Sequence, residues 1–244
     1  MRDIEELVKN VEKYENAIIQ NNLKGKKNIV SYVTIDGKPR VLKWFVPGLK
    51  NNMKIEFEIL KKGASKLNIP TVHEKDEENN VLIMNYIIGK NLCDIINDKE
   101  VTIKEKQRLM VLLAEWFFNF HNLFKKDDIF RIHGDANLRN FIFSDRLWGV
   151  DFEESRIGRT IEDIASMCAS ILTTDPMFTK EKIDLCKIFI DSYSKHAPGR
   201  ISNIYDEISY ALLEKIQWRP DCEEIFRKHS KTIKEKGLRE CEFL

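Results

Sequence analysis

The stretch IHGDANLRNFIFSDRLWGVDFEES, residues Ile132–Ser155, interrupts a region of helical apolar spacing with two short apolar runs. The runs FIF and LWGV lie on either side of residues 144–146, a pattern that predicts a small antiparallel hairpin. If residues 145–146 form a two-residue loop, the register places Asn140 opposite Asp151. Directly opposed side chains have Cβ atoms roughly 5 Å apart. We therefore expect these two residues to be neighbours.

An amide oxygen and a carboxylate at that separation can share one hard cation. Mg²⁺ prefers oxygen ligands of this kind together with substrate phosphates. Asp135 lies five residues before Asn140, in a loop where Gly134 permits close approach of the backbone. Its carboxylate could accept a proton. Either residue alone is more typical of an ordinary turn contact, and only the joint pattern with Asp151 favours a reaction centre.

The phrase His133-Gly134-Asp135, followed by Asn140 and later by Asp151, resembles the catalytic loop and metal-binding aspartate of the kinase-like superfamily. It is most similar to the branch with an HGD motif. That branch includes aminoglycoside phosphotransferases, RIO kinases and the small kinase of the tRNA threonylcarbamoyl-adenosine complex. The resemblance implies an α+β, bilobal, protein-kinase-like fold. It also implies Asp135 as the catalytic residue, Asn140 and Asp151 as Mg²⁺ ligands, and His133 as structural support.

The stretch VDFEESRIGRTIEDIA also resembles the choline kinase and aminoglycoside kinase pattern, in which an aspartate is closely followed by DIA or DLA. By that resemblance, Asp163 braces the catalytic loop from the start of a helix. An ordinary carboxylate at a helix N-terminus, placed there by the helix dipole, is the alternative interpretation.

The first third of the chain reads as a sheet with one central helix. Apolar spacing predicts a helix over residues 4–19, and the runs NIVSYVTI and RVLKWFV around Asp36-Gly37 predict a hairpin. A helix over 52–67 and two further strands, TVHEK and VLIMNY, follow. From about Asn91 the spacing is mostly helical. We therefore expect a nucleotide-binding lobe at 1–86 and a larger, helical lobe at 87–244.

A kinase-like fold needs a strand lysine for the α/β-phosphates and a helix glutamate that orients it. Lys43, in the second strand of the predicted hairpin, is the candidate lysine, although a single strand lysine is usually solvated. Glu56 shares a helical stripe with apolar residues that face the sheet, whereas Glu58 lies on the polar face. Glu56 is therefore the predicted partner of Lys43.

The remaining nucleotide contacts are expected at a hinge and a loop. The segment LIMNYI resembles the strand and hinge that hold adenine, with Met84 in the strand and the backbones of Asn85 and Ile87 on the base. The phosphate-covering loop departs from the glycine-rich pattern. In NNLKGKK only Gly25 is a glycine, and three lysines accompany it as point charges.

Composition limits the partners, the location and the cysteine chemistry that we expect. Lysine and arginine (40) nearly balance aspartate and glutamate (39), which argues against nucleic acid or an anionic membrane as a partner. No apolar run reaches membrane-spanning length and no leader pattern is evident, so a cytoplasmic protein is expected. The five cysteines are widely spaced and include no CxxC pair, which favours reduced packing thiols over zinc or disulfides.

The function predicted is transfer of the γ-phosphate of ATP, with Mg²⁺, to an alcohol group. Only eleven residues separate Asp151 from Asp163, which leaves little room for the activation segment that holds peptide substrates. A small hydroxylated molecule is therefore the favoured acceptor. Two alternatives stay open: a RIO-like serine/threonine protein kinase, and a nucleotide-binding or ATPase subunit of a larger assembly.

Overall fold

The structure is a computed structural model, and it describes residues 7–8, 11–23 and 27–239. The chain divides into two compact units. The first contains the described residues up to Ile88 together with Val150–Glu154, and the second contains Gly89–Gly149 and the chain from Ser155 onward. The boundary predicted between residues 86 and 87 falls close to Ile88. The inclusion of Val150–Glu154 in the first unit is a feature that the sequence pattern did not indicate.

The first unit is built on a five-stranded antiparallel sheet with the strand order β1-β2-β3-β5-β4. One helix, α1, follows β3 in the chain. The bounds are β1 (Ile18–Leu23), β2 (Ile29–Ile35), β3 (Lys38–Trp44), α1 (Lys50–Gly63), β4 (Val72–Asp76) and β5 (Val81–Asn85).

The hairpin of β2 and β3 has the register that its turn chemistry predicts. Asp36 and Gly37 both have positive φ, 50° and 72°, as a tight two-residue hairpin turn requires. Because side chains alternate along a strand, Leu42 and Lys43 point to opposite faces of the sheet. Leu42 is fully buried with Val33, Val81 and other apolar residues. Lys43 is thereby left on the face that carries α1.

Two sequence predictions for this unit need correction. The helix predicted over 4–19 is wrong at its C-terminal end, because Ile18 and Ile19 belong to β1 and pair with Thr34 and Val33. A short 3₁₀ turn at Glu12–Tyr14 precedes that strand, and residues 1–6 and 9–10 lie outside the described part. The central helix begins and ends earlier than predicted, at Lys50–Gly63 instead of 52–67.

The second unit is mainly helical, as the spacing after Asn91 predicts. Its helices are α2 (Leu92–Asn97), α3 (Ile103–Leu123), α4 (Thr160–Leu172), α5 (Lys180–His196), α6 (Ile204–Glu214) and α7 (Glu223–Lys236). Short strands form two small sheets, with the orders β6-β8-β9 and β10-β7. Their bounds are β6 (Lys90–Asn91), β7 (Arg131–Ile132), β8 (Phe141–Phe143), β9 (Leu147–Gly149) and β10 (Arg156–Ile157).

The hairpin of β8 and β9 forms, but its predicted register is wrong by one residue. Phe141 pairs with Gly149 and Phe143 pairs with Leu147, so the loop has three residues instead of two. Ser144 N–H donates to the carbonyl of Arg146 across that loop, at 3.1 Å. The reasoning that placed Asn140 directly opposite Asp151 therefore fails, because it depended on the shorter loop.

The described cysteines Cys93, Cys168, Cys186 and Cys222 are buried free thiols, as predicted, and Cys241 lies outside the described residues. Burial raises the pKa of the Cys186 thiol well above its ordinary value. Among the residues that the structure describes, none of the helices combines the length and the apolar character needed to cross a membrane.

Candidate active site

The catalytic loop predicted at residues 133–140 lies in the second unit, between β7 and β8. Asp135 is exposed, and Asn140 is 8% exposed at the end of a single 3₁₀ turn, Leu138–Asn140. The amide nitrogen of Asn140 donates to Asp135 twice, to Oδ2 at 3.0 Å and to the backbone carbonyl at 2.9 Å. The five-residue spacing therefore brings the two predicted side chains together on one loop.

The start of this loop is fixed by Asp163, in the first turn of α4. Its carboxylate accepts from the backbone N–H of His133 at 2.7 Å and from that of Gly134 at 3.0 Å. Gly134 has φ of 85°, a conformation that favours glycine. Asp163 is 1% exposed, so it is a buried brace of the loop and not an ordinary solvated helix cap.

The Asp163 carboxylate is supported from α3. Nε2 of His121 lies 3.0 Å from Asp163 Oδ2, and Nδ1 of the same ring lies 2.8 Å from the hydroxyl of Tyr193. Burial alone would raise the pKa of Asp163, but the hydrogen bonds from His121 and from the His133 backbone outweigh burial and lower it below its usual value. Asp163 is therefore held as a carboxylate, which is the form that accepts hydrogen bonds.

The middle of the loop is also anchored to α4. Ser170 lies two turns after Asp163 on the same helix, and its hydroxyl accepts from the backbone N–H of Leu138 at 3.1 Å. The side chain of Leu138 is fully buried. His133 is also fully buried, with its ring 5.8 Å from that of Phe141. Helix α4 thus holds the loop at two points, and apolar packing holds it between them.

The lysine and glutamate predicted to hold the nucleotide phosphates both lie in the first unit. Lys43 is 5% exposed, and its Nζ lies 2.7 Å from Glu56 Oε2 on α1. Glu58 is exposed on the opposite side of the helix. The choice of Glu56 over Glu58 as the partner of Lys43 therefore agrees with the ion pair in the structure.

The same ammonium contacts two carboxylates of the segment Val150–Glu154. Lys43 Nζ lies 2.5 Å from Asp151 Oδ1 and 2.8 Å from Glu153 Oε2. The sequence analysis did not single out Glu153. No spacing rule identifies it, because Asp151 has φ of 67° and the side-chain alternation of an extended strand does not apply to this segment.

The charges of this cluster are unbalanced. Oxygens of Glu56, Asp151 and Glu153 lie within 4.8 Å of one another around one ammonium. Burial alone would lower the pKa of Lys43, but the three carboxylates outweigh burial and raise it. Burial raises the pKa of Glu56 to about 7, although Lys43 opposes that change. One positive against three negative charges fits a site that takes up a divalent cation with oxygen ligands.

The predicted adenine contacts lie along β5 and just beyond it. Met84 pairs with Val41, two residues before Lys43, and so lies on the face of the sheet that carries Lys43. Asn85 ends the strand, and its N–H donates to the carbonyl of Thr71 at 3.0 Å. Ile87 follows two residues later, outside regular secondary structure. Gly25, predicted to cover the phosphates, lies outside the described residues.

Comparisons with known proteins agree with this fold. Residues 104–184 match the model of the phosphotransferase enzyme family, while comparison with curated protein sequences finds no match. Two solved structures of aminoglycoside kinases are similar over most of the chain. A type VIII aminoglycoside-3′-phosphotransferase is 12% identical with a TM-score of 0.64, covering 85% of this chain and 96% of its own. The streptomycin–ATP–APH(2″)-IIa ternary complex is 18% identical with a TM-score of 0.59, covering 95% and 96%.

A viral kinase is similar over a smaller part. PK-1 of Cydia pomonella granulovirus is 19% identical with a TM-score of 0.50, and the match covers 64% of this chain and 60% of the kinase. These comparisons confirm the resemblance to the kinase-like phosphotransferase superfamily, the bilobal kinase-like fold and the phosphotransferase class of enzyme.

Proposed function

We propose that this kinase-like phosphotransferase uses Mg²⁺ and ATP to phosphorylate an alcohol group of a small hydroxylated molecule. The observation that carries the proposal is the Asp135 carboxylate, held 3.0 Å from the Asn140 amide on a loop that Asp163 braces. A protein that only binds nucleotide does not need a carboxylate positioned to accept a proton. The presence of this carboxylate in a chain that also has the Lys43–Glu56 ion pair supports transfer over binding alone.

Each candidate residue has a part in this proposal. Lys43, oriented by Glu56, neutralises charge on the α- and β-phosphates. Asn140 and Asp151 supply oxygen ligands for Mg²⁺, which when bound screens the negative charge of the phosphates. Further contacts are proposed from the adenine side, at Met84 and the backbones of Asn85 and Ile87, and from Gly25 over the phosphates.

The transfer step needs one base and good positioning. Asp135 accepts a hydrogen bond from the acceptor hydroxyl and takes its proton. A bond forms between the hydroxyl oxygen and the γ-phosphorus, and the bond from that phosphorus to the β–γ bridging oxygen breaks, which leaves ADP. Because the proton leaves late in a loose transition state, Asp135 needs no unusual pKa. His133 and Asp163 act on the backbone of the loop, not on the reacting atoms.

The class of acceptor is proposed from the short length of chain between Asp151 and helix α4. After Asp151 the chain passes through β10 and enters α4 at Thr160, so the span that holds peptide substrates in protein kinases is short. This favours a small molecule over a peptide. The titles of the similar structures name gentamicin and streptomycin for APH(2″)-IIa, which are hydroxylated small molecules. A cytoplasmic location, without a membrane or nucleic acid partner, completes the proposal.

The test is a search for the phosphorylated product. The chain is incubated with γ-labelled ATP, Mg²⁺ and a metabolite extract, and the products are separated by mass spectrometry. We expect label in one small hydroxylated compound, and its loss with Asp135→Asn. Label on protein would favour the RIO-like alternative, and label released only as inorganic phosphate would favour the ATPase alternative.

A further inference from the structure

The segment Val150–Glu154 belongs to the first compact unit, although the residues before and after it belong to the second. We propose that Asn28 and Asn52 are positioning residues that fix this segment and thereby set the carboxylates of Asp151 and Glu153 for the metal–nucleotide complex. The inference rests on the proposed binding of Mg²⁺ and ATP. It concerns two residues whose side chains bond to Glu153 of this segment.

Asn28 uses both ends of its amide. It directly precedes β2 and is 6% exposed. Its Nδ2 donates to Glu153 Oε2, while its Oδ1 accepts from the backbone N–H of Val46, just past β3, at 3.1 Å. A flipped amide would set a donor against the Val46 N–H and an acceptor against a carboxylate, so one orientation is required. Asn28 therefore ties Glu153 to the ends of two strands.

Helix α1 holds the backbone of the same segment. The side chain of Asn52 donates to the carbonyl of Glu153 at 2.9 Å, and Glu56 Oε1 accepts from the N–H of Phe152 at 3.3 Å. Asn52 and Glu56 are one helical turn apart and so lie on the same face of α1. Asn52 and Glu56 therefore hold backbone groups of two successive residues, Phe152 and Glu153. The Lys43 ammonium bonds instead to the side chains of Asp151 and Glu153.

The segment needs anchors because two features of its structure are unfavourable. Asp151 has φ of 67°, in the left-handed region that residues with a Cβ seldom adopt. The carboxylates of Glu56, Asp151 and Glu153 also repel one another at the short separations found here. Without Asn28 and Asn52 we expect the segment to relax and Asp151 to lose its position.

The first test is a double-mutant cycle between Asn28 and Glu153. Asn28→Asp keeps an acceptor for Val46 but turns the other oxygen toward the Glu153 carboxylate. We expect it to weaken binding of Mg²⁺–AMPPNP, measured by calorimetry, about tenfold, the scale of one lost hydrogen bond to a charged group. In a Glu153→Gln background the new amide can donate to the carboxylate that Asn28→Asp introduces, so the same change should weaken binding less than about threefold. Equal losses in both backgrounds would overturn the inference.

The second test uses neighbouring residues of α1. Asn52→Leu removes the donor to Glu153 while keeping the number and branching of the side-chain heavy atoms, and Asn51→Leu makes the same change at an exposed position. AMPPNP binding is measured with Mg²⁺ and with EDTA, and unfolding temperature is recorded beside it. We expect Asn52→Leu to reduce the gain in affinity that Mg²⁺ gives, and Asn51→Leu to leave that gain unchanged. An equal Mg²⁺-dependent gain in both variants would contradict a positioning role, even if Asn52→Leu lowers stability.

These binding measurements separate the inference from the proposed function. Binding of Mg²⁺–AMPPNP that depends on Asn28 and Asn52, without phosphate transfer, would overturn the proposed function and leave the inference standing. An unmodified chain whose AMPPNP affinity does not respond to Mg²⁺ would overturn both.

Discussion

Lys43 on β3 and Glu56 on α1 form a buried ion pair, with 2.7 Å between Nζ and Oε2. Glu56 also accepts a hydrogen bond from the backbone N–H of Phe152, so one carboxylate links the lysine to the segment that carries Asp151. Removing one partner of a buried ion pair leaves an uncompensated charge, which is strongly destabilising. The pair therefore serves to orient the lysine and also makes this part of the molecule sensitive to charge changes.

The first prediction concerns the partner of Lys43. Glu56→Gln keeps the shape of the side chain but removes the charge that orients the ammonium. We expect turnover to fall by about tenfold or more, the scale of a lost hydrogen bond between charged groups. Glu58→Gln, on the exposed face of α1, should stay within about twofold of the unmodified chain. Steady-state kinetics of both variants make the comparison, and the reverse order of effects would refute the assignment.

The second prediction concerns stability and pH. Lys43→Met leaves Glu56 facing the carboxylates of Asp151 and Glu153 without the ammonium that opposes the rise in its pKa, so the pKa of Glu56 should rise further. A group whose pKa is raised on folding binds more protons in the folded state, so stability is lost as the pH rises through that interval. For Glu56 the interval already runs from its ordinary value of 4.5 to about 7.

We therefore expect Lys43→Met to lower the free energy of unfolding by about 3–5 kcal/mol at pH 8 and by less at pH 6. Urea unfolding at the two pH values measures the difference. Lys54→Met, at an exposed position of the same helix, is the control and should change stability little at either pH. A deficit that is the same at both pH values would argue against the charge cluster as its cause.

The third prediction concerns the brace of the catalytic loop. Asp163→Asn replaces one acceptor oxygen with a donor that faces a backbone N–H. We expect a loss of about 1–3 kcal/mol of stability at pH 7 together with reduced turnover. Since the pKa of Asp163 is lowered on folding, the deficit should begin to shrink as the pH falls below the ordinary value of 3.8 and should disappear only below the lowered pKa of the folded state. Asp191→Asn, exposed on α5, is the control, and an equal effect there would remove the case for the brace.

The fourth prediction concerns the metal. Asp151→Asn removes a charged oxygen but preserves a residue type that tolerates positive φ, so the backbone can stay in place. We expect calorimetry to find Mg²⁺–ATP binding weakened about tenfold or more, with little change in the binding of ATP in EDTA. Weakening of equal size with and without Mg²⁺ would point to a general distortion of the nucleotide site.

Local chemistry made part of this structure predictable. The Asp36-Gly37 turn fixes the register of β2 and β3, and the apolar stripe of α1 separates Glu56 from Glu58. The five-residue spacing of Asp135 and Asn140 places both on one loop, where a hydrogen bond joins them. In each case the residues that decide the outcome are close in sequence, so spacing alone carries the information.

Features that depend on distant partners were missed. Ile18 and Ile19 fit a helical spacing, but pairing with β2 makes them a strand, since tertiary contacts override local propensity. Residues 144–146 allow a loop of two or three residues, and the difference of one shifts the whole register. Glu153 is identified only through contacts with Lys43 and Asn28, which lie more than 100 residues earlier in the chain.

The most direct test of the account is the effect of Asp135→Asn on two quantities, Mg²⁺–ATP affinity by calorimetry and phosphate transfer by a turnover assay. Because Asp135 acts on the acceptor hydroxyl, we expect the affinity to stay within about threefold while transfer falls by about 10²-fold or more, the scale of a positioned general base. Turnover that is unchanged by Asp135→Asn would contradict the assignment of Asp135 as the base and would favour a nucleotide-binding subunit instead.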